Sequence, residues 1–229
     1  MIERPAGLPD WWEPLLTRVA ASRTEDFTLL QPPSSGGRES AVLILLGEHA
    51  PGEPDLLVLQ RAATMRNHAG QPAFPGGAAD AQDQDAAATA LREAHEEVGL
   101  DPASATVLTA LPQLYIPVSS FVVSPVLAWW HAPHPVHPRQ PAEVAHVARV
   151  PVAHLVDPQN RVRVRHPSGW VGPAFVAAGM VIWGFTAGVI SALLDMAGWT
   201  RSWQPGRLIE LPGSPAPASP TGGPDEVLS

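Results

Sequence analysis

The 229-residue chain contains no cysteine and no lysine. The absence of cysteine excludes disulfides, thiolate metal sites and cysteine nucleophiles. All 14 basic residues are therefore arginine, which excludes Schiff-base chemistry on lysine and the phosphate-binding lysine of a P-loop. Any catalytic chemistry has to come from other side chains.

Positive charge is also scarce, since 22 acidic residues outnumber the 14 arginines and give a net charge of −8. This balance argues against a general nucleic-acid binder. Hydrophobic residues make up 45% of the chain, enough for a sizeable core. The first residues, MIERPAGLPDWWEP, carry acids and prolines but no apolar run typical of a signal peptide, so we expect a cytoplasmic protein.

Charge is missing altogether from residues 168–194, a run long enough to cross a membrane on length alone. The run contains Pro173 and five glycines. Residues 175–184 are typical of a buried strand, and residues 186–199 have apolar side chains at helical spacing with a stop signal at Gly198. We therefore expect no membrane span here.

The remaining pattern mixes strands and helices without regular βαβ alternation, which favours an α/β sandwich with a mixed sheet. Residues 41–47 and 56–62 predict a strand hairpin, and residues 86–98 predict a helix. We divide the chain into an N-terminal helix and loop (1–37), a main domain (38–203) and a proline-rich tail (204–229) whose composition is typical of disorder. A homodimer is compatible with the sequence.

The predicted helix 86–98 carries an unusual acidic face. Glu93, Glu96 and Glu97 are spaced i, i+3 and i+4, so their carboxylates lie on one side of the helix. Two such charges about 6 Å apart repel by roughly 0.7 kcal/mol in water and by about 3 kcal/mol at an effective dielectric near 20. Arg92 offsets part of this repulsion through Glu96. The face is either fully solvated or holds a cation.

A glycine-rich loop, FPGGAADAQDQD at residues 74–85, leads into this helix. Gly76 and Gly77 allow close approach of a ligand to the main chain, although a plain turn would use the same residues. Mg²⁺ prefers carboxylate, water and phosphate oxygens. Glycines beside clustered carboxylates are therefore what a Mg²⁺–diphosphate substrate would need.

These two segments together resemble the Nudix box. The resemblance comprises Gly77, Asp83 after five further residues, and REAHEEVGL at residues 92–100 after eight more. The general pattern has Glu in place of Asp83 and seven residues instead of eight. The half that carries the metal ligands is intact. The resemblance implies a Nudix-type α/β/α sandwich and an enzyme that hydrolyses nucleoside diphosphate derivatives with Mg²⁺ or Mn²⁺.

The preceding segment, residues 56–77, resembles the signature of the coenzyme A pyrophosphatase branch of that family, in which the extra residue and the Asp are common. Residues 181–199 resemble the same branch, so the resemblance covers roughly residues 38–203. Ala78 departs from it, because the branch often has a basic residue there. The matching positions of the upstream signature are Arg61, Arg66, His68, Gly70, Phe74 and Pro75-Gly76-Gly77.

The resemblance implies a role for each acidic residue. Glu93 and Glu97 match the main metal ligands, and Glu96 matches a third ligand or a supporting group. The general base is Glu93 in some members of the family and a distant Glu in others. Glu143 matches the place of that distant Glu. The alternative for Glu143 is a surface charge at the end of a strand. Arg92 is expected to pin the carboxylates through a bidentate contact.

The resemblance also implies substrate contacts from the upstream signature. Arg61 and Arg66 would attract the phosphates, His68 would contact phosphate, and Gly70, Gly76 and Gly77 would line the site. Ordinary surface ion pairs are the alternative for the two arginines, and a structural role is the alternative for His68.

The implied reaction cuts coenzyme A at its diphosphate, giving 4′-phosphopantetheine and adenosine 3′,5′-bisphosphate. Two alternatives stay open. One is a Nudix hydrolase for another substrate, such as ADP-ribose or a nucleoside triphosphate. The other is a nucleotide-sensing Nudix module that binds without cleaving, although a sensor has no need to keep three repelling glutamates.

Overall fold

The computed structural model describes residues 4–28, 30–33, 36–65, 68–117, 119–204 and 207–211. The α-helices in these ranges are α1 (Trp12–Val19), α2 (Ala86–Val98), α3 (Val152–Leu155) and α4 (Gly184–Met196). Short 3-10 helices lie at Thr24–Asp26 and Pro102–Ser104. The strands are β1 (Arg38–Ala50), β2 (Glu53–Arg61), β3 (Pro72–Ala73), β4 (Gly76–Ala78), β5 (Ala105–Ala110), β6 (Leu114–Ile116), β7 (Phe121–Trp130), β8 (Val144–Pro151), β9 (Arg161–Arg165), β10 (Val171–Ala177), β11 (Met180–Ile182) and β12 (Leu208–Glu210).

Eight of the strands form one mixed sheet, in the order β3-β2-β1-β7-β5, with β4 on β1, β6 on β7 and β8 on β2. β1 and β7 run parallel, while β1 and β2 form the predicted antiparallel hairpin. Strand β4 pairs with the start of β1, with Gly77 opposite Ala41. This pairing brings the glycine loop against the centre of the sheet.

The side chains of β1 explain why both faces of this sheet are covered. Successive side chains of a strand point to opposite faces. Leu43 and Leu45 belong to a core cluster with α2, whereas Ile44 and Leu46 belong to a second cluster with α1 and α4. All four are at most 4% exposed. The predicted α/β sandwich with a mixed sheet is therefore confirmed.

Helix α2 has the predicted bounds. Asp85 is its N-cap, because the Asp85 carboxylate accepts a hydrogen bond from the Ala88 amide at 2.8 Å. Gly99 ends the helix with φ of +74°, a left-handed conformation that favours glycine. Ala90 and Ala94 are fully buried against the sheet, and Glu97 is buried with them, whereas Glu96 is exposed.

Helix α1 is part of the main core, although the sequence placed it in a separate N-terminal segment. Trp12 and Leu15 are fully buried in the cluster shared with α4. Trp11 stacks on Trp12 and also contacts the ring of Trp199, which follows α4. The segment 1–37 therefore contributes to the same hydrophobic core as the main domain.

Three sequence-based expectations need correction. Residues 175–184 do not form one strand, because Ala178 and Gly179 turn the chain between β10 and β11 with positive φ. The tail expected from residue 204 contains β12, which pairs in parallel with β9. Residues 74–85, expected to be a glycine-rich loop, contain β4 at Gly76–Ala78. The rest of the predicted tail, residues 212–229, lies outside the described residues.

Strands β9 to β12 form a second sheet in the order β11-β10-β9-β12, which the sequence did not predict. This sheet and α4 account for the uncharged run at residues 168–194. In the described part of the chain, no helix has both the length and the apolar character needed to cross a bilayer.

The substitution Trp12→Ala tests whether α1 is integral to the core. Truncating a fully buried tryptophan is expected to lower the free energy of unfolding by about 3–5 kcal/mol. Trp170→Ala, at a tryptophan that is 45% exposed, is the matched control and should cost much less. Denaturant unfolding followed by circular dichroism measures both; equal losses would contradict the assignment of α1 to the core.

Candidate active site

Arg92 holds together three of the carboxylates around α2. Its Nε and Nη2 each donate to one oxygen of Asp83 at 3.0 Å. Its Nη1 donates to Glu93 at 3.0 Å and to Glu96 at 3.3 Å, while Nη2 also donates to the carbonyl of Ala78 at 3.1 Å. The contacts with Arg92 hold the pKa of the Asp83 carboxyl well below its usual range. Arg92 therefore makes the expected bidentate contact, and its partner is the carboxylate of Asp83.

The carboxylate of Glu93 occupies the space beside Gly77. A Cβ at position 77 would lie 2.5 Å from Cδ of Glu93, closer than real Cβ contacts. Burial raises the pKa of Glu93; the contact with Arg92 opposes this rise, and the charges of Glu96 and Glu143 add to it. Gly77 is therefore required by the position of Glu93 itself.

Glu97 is a buried carboxylate, only 3% exposed. The amide of Gly76 donates to its Oε2 at 2.9 Å. Burial raises the pKa of Glu97 to about 7; the Gly76 hydrogen bond and the charge of Arg61 lower it, and the charges of Glu93 and Glu143 raise it. Burial of this carboxylate therefore disfavours its ionised form unless a cation lies beside it.

Glu143 is an exposed residue at the end of the loop between β7 and β8. Its carbonyl oxygen accepts a hydrogen bond from the amide of Ala62 at 2.7 Å, which places it beside Arg61 at the end of β2. Its charge contributes to the raised pKa values of both Glu93 and Glu97. The structure thus brings Glu143 to the acidic face, although 46 residues separate it from Glu97.

Arg61 also acts on the acidic face, because its charge lowers the pKa of Glu97. Its Nη2 lies 3.1 Å from Sδ of Met65, and its Nε is buried without a hydrogen-bond partner among the described residues. A buried guanidinium donor without an acceptor is costly unless another group supplies one. Arg61 therefore has a donor available for a ligand at this site.

The other upstream residues are placed less directly. His68 has a positive φ of 55°, and its Nδ1 lies 3.0 Å from Oε1 of Gln71. The carbonyl of Gly70 accepts from the Gln60 side chain at 3.1 Å. These contacts serve the shape of the loop. Arg66 lies outside the described residues.

Two of the three glycines predicted to line the site, Gly76 and Gly77, pack against protein groups. Gly76 has φ of +158°, and a Cβ there would lie 2.3 Å from the carbonyl oxygen of Ala41. Its amide is used by Glu97, and the space beside Gly77 is filled by Glu93. Both glycines therefore position carboxylates.

The carboxylates fit a hard divalent cation by their chemistry. Among the described residues, no three carboxylate or imidazole side chains form a ready-made metal-binding set. Arg92 engages Glu93 and Glu96, and the Gly76 amide engages Glu97. A cation would compete with Arg92 for the first two and would favour the ionised form of Glu97, which burial disfavours.

A family profile described as NUDIX domain matches residues 37–171. The chain belongs to the Nudix family. The Nudix hydrolase NudL of Citrobacter koseri is 47% identical over 105 residues, which cover 44% of this chain and 53% of that relative. NudL of Enterobacter sp. (strain 638) is 37% identical over 179 residues, covering 73% of this chain and 88% of that relative. The chain thus spans about half the length of the first relative.

The solved structure of RenU, a Nudix hydrolase from M. smegmatis, has a TM-score of 0.51 and 21% identity to this chain. The similarity covers 72% of this chain and 88% of RenU. It shows a shared fold, which confirms the expected Nudix-type sandwich. The family match includes the glycine loop and α2, so the acidic face described above lies within the Nudix domain.

Sequence reasoning missed Thr89 as part of this Nudix site. Its hydroxyl donates to Oδ2 of Asp83 at 2.9 Å, and the side chain is 1% exposed. Thr89 lies three residues before Arg92, so both side chains share one helix face. A polar residue at that spacing in an alanine-rich turn was the available signal.

The pH dependence of stability in the presence of chelator tests the burial of Glu97. Its pKa is about 7 in the folded protein against an ordinary value of 4.5. As pH rises from about 4.5 to 7 the unfolded chain releases this proton while the folded protein keeps it, so the free energy of unfolding falls by up to about 3 kcal/mol. Glu97→Gln keeps an acceptor for Gly76 and should remove this loss.

Glu53→Gln, at an exposed glutamate of β2, is the matched control for loss of one charge. Urea unfolding at pH 4.5 and pH 8 provides the measurement. We expect Glu97→Gln to exceed the wild type in stability at pH 8 but not at pH 4.5. The assignment would be contradicted if the difference in free energy of unfolding between the wild type and Glu97→Gln were the same at pH 4.5 and at pH 8.

Proposed function

We propose that this Nudix protein is a metal-dependent diphosphatase that hydrolyses coenzyme A or one of its derivatives. The observation that carries the proposal is the buried Glu97, whose pKa is raised chiefly by burial and further by the charges of Glu93 and Glu143. A protein gains nothing in stability from such a cluster. Its retention is explained by a cation and an anionic substrate.

Glu93 and Glu97 would hold Mg²⁺ or Mn²⁺, with Glu96 as a third ligand or a support. Such an ion would neutralise phosphate charge and lower the pKa of the water bound to it. The Gly76 amide keeps Glu97 oriented, and Arg92 keeps Glu93 and Glu96 on the same side of α2.

The chain's own residues would carry the proton and the substrate charge. Glu143 or Glu93 accepts the proton from the attacking water, since both belong to the same acidic face. Arg61 offers its free Nε–H to a phosphate oxygen, and the electrostatic stabilisation grows as charge develops on the leaving phosphate. His68 would extend this contact in the loop that Gly70 also shapes, and Arg66 would supply a further positive charge for the phosphates.

The coenzyme A substrate rests on the upstream signature and on the segment at residues 181–199. These two segments are close in the fold, because Thr186 of α4 donates to the carbonyl of Pro72 in β3 at 3.1 Å. The competing outcomes are cleavage of ADP-ribose, cleavage of a nucleoside triphosphate, and binding without cleavage. We expect the protein to act as a small-molecule enzyme without nucleic acid or membrane partners.

Product analysis of the purified protein tests this proposal. Coenzyme A, ADP-ribose and dGTP are each incubated with Mg²⁺, with Mn²⁺ and with chelator, and Glu97→Gln is the control protein. We expect metal-dependent release of 4′-phosphopantetheine and adenosine 3′,5′-bisphosphate from coenzyme A, and no turnover by the variant. Cleavage of another substrate alone would overturn the coenzyme A assignment, and tight binding without cleavage would favour a sensor.

Gly77→Ala tests whether the close contact with Glu93 matters for activity. The added Cβ has to displace the Glu93 carboxylate, so we expect kcat to fall by about 10- to 100-fold. Gly188→Ala in α4 is the matched control, since a Cβ there meets nothing within 4 Å. Steady-state kinetics with thermal melting of each variant provides the measurement; wild-type kcat in Gly77→Ala would contradict the role of this contact.

A further inference from the structure

The loop between β7 and β8 caps the helix that carries the acidic face. The last carbonyls of a helix have no partner within it. Here the amide of Arg139 donates to the carbonyl of Glu97 at 2.9 Å, and the amide of His137 donates to the carbonyl of Val98 at 3.1 Å. Two main-chain groups of a distant loop thus replace the hydrogen bonds that α2 cannot make.

The same loop continues directly to Glu143, and we call residues 137–143 the strap. The carbonyl of Gln140 accepts from the amides of Glu143 and Val144, both at 2.8 Å, which closes a tight turn. The carbonyl of Glu143 then accepts from the amide of Ala62 at 2.7 Å. The strap is therefore anchored to α2 at one end and to the end of β2 at the other.

The strap is also short and stiff. Only four residues lead from Arg139 to Glu143, a span of at most about 14 Å if fully extended. Pro138 and Pro141 restrict φ on either side of the Arg139–Gln140 pair. The anchored turn leaves Glu143 little freedom relative to the end of α2.

We propose that the strap positions the Glu143 carboxylate against Glu97 and Glu93, with the Arg139 amide as its anchor on α2. Arg139 is a positioning residue, because it acts through its main chain on Glu143 and touches no reacting atom. The bonds are between main-chain groups, so the side chains of His137 and Arg139 remain exposed. This inference rests on the proposed function, since it assigns Glu143 a part in proton transfer.

Inserting two glycines between Arg139 and Gln140 separates positioning from capping. The variant keeps the Arg139 and His137 amides on α2 but removes the short connection that ties Glu143 to α2, which leaves Glu143 held at the end of β2 alone. We expect kcat to fall by about 10- to 100-fold with KM changed by less than about threefold, because misplacing a catalytic group by 1 Å can cost about 100-fold. The same insertion between Ala132 and Pro133, upstream of both anchors, is the matched control and should leave kcat within about twofold.

A double variant tests whether the strap acts through Glu143. Adding Glu143→Gln to the insertion after Arg139 should cause no further loss beyond that of Glu143→Gln alone, because both changes remove the same contribution. Hydrogen–deuterium exchange of residues 137–139 and the melting temperature report the capping bonds, which should stay intact in the insertion variant. Arg139→Pro removes the anchor amide itself and should lower kcat as the insertion does, whereas Arg139→Ala keeps the amide and should lower it far less.

Wild-type kcat in the insertion variant, or multiplicative losses in the double variant, would overturn the positioning role. An active wild type whose Glu143→Gln variant is equally active keeps the diphosphatase proposal but overturns this inference. A wild type inactive on every diphosphate substrate overturns the proposed function, and this inference with it.

Discussion

The guanidinium of Arg92 is the interaction on which the acidic site depends. It neutralises part of the charge of Asp83, Glu93 and Glu96, and it ties the loop before α2 to the helix through Asp83 and the carbonyl of Ala78. Without this cation the carboxylates would repel each other across a single helix face. A planar guanidinium can satisfy several oxygens at once, which the point charge of a lysine does not.

Glu97 lies beyond the reach of that compensation. It is buried under the Gly76–Gly77 segment, where a Cβ at position 76 would meet β1 and a Cβ at position 77 would meet Glu93 of α2. The close approach is made possible by β4, which pins the glycines against β1. The sheet therefore determines the depth of Glu97, and this depth raises its pKa.

Local features of the fold could be read from the sequence. The bounds of α2 were predicted correctly, because hydrophobic periodicity acts over a few residues. The second sheet could not be predicted, since its strands are short and β12 pairs with a strand more than 40 residues away. The N-terminal helix was found, but its place in the main core follows from contacts with α4 that no local pattern contains.

The sequence by itself determined the acidic face of α2, the glycine loop before it and the resemblance to the Nudix family. These depend on residue spacing along one helix and one loop. Only the tertiary structure decided that Glu97 is buried while Glu96 is not, and that Glu143 joins the face from a distant loop. Burial and charge proximity are set by pairing and packing between segments far apart in the chain, and those contacts leave no signature in local spacing.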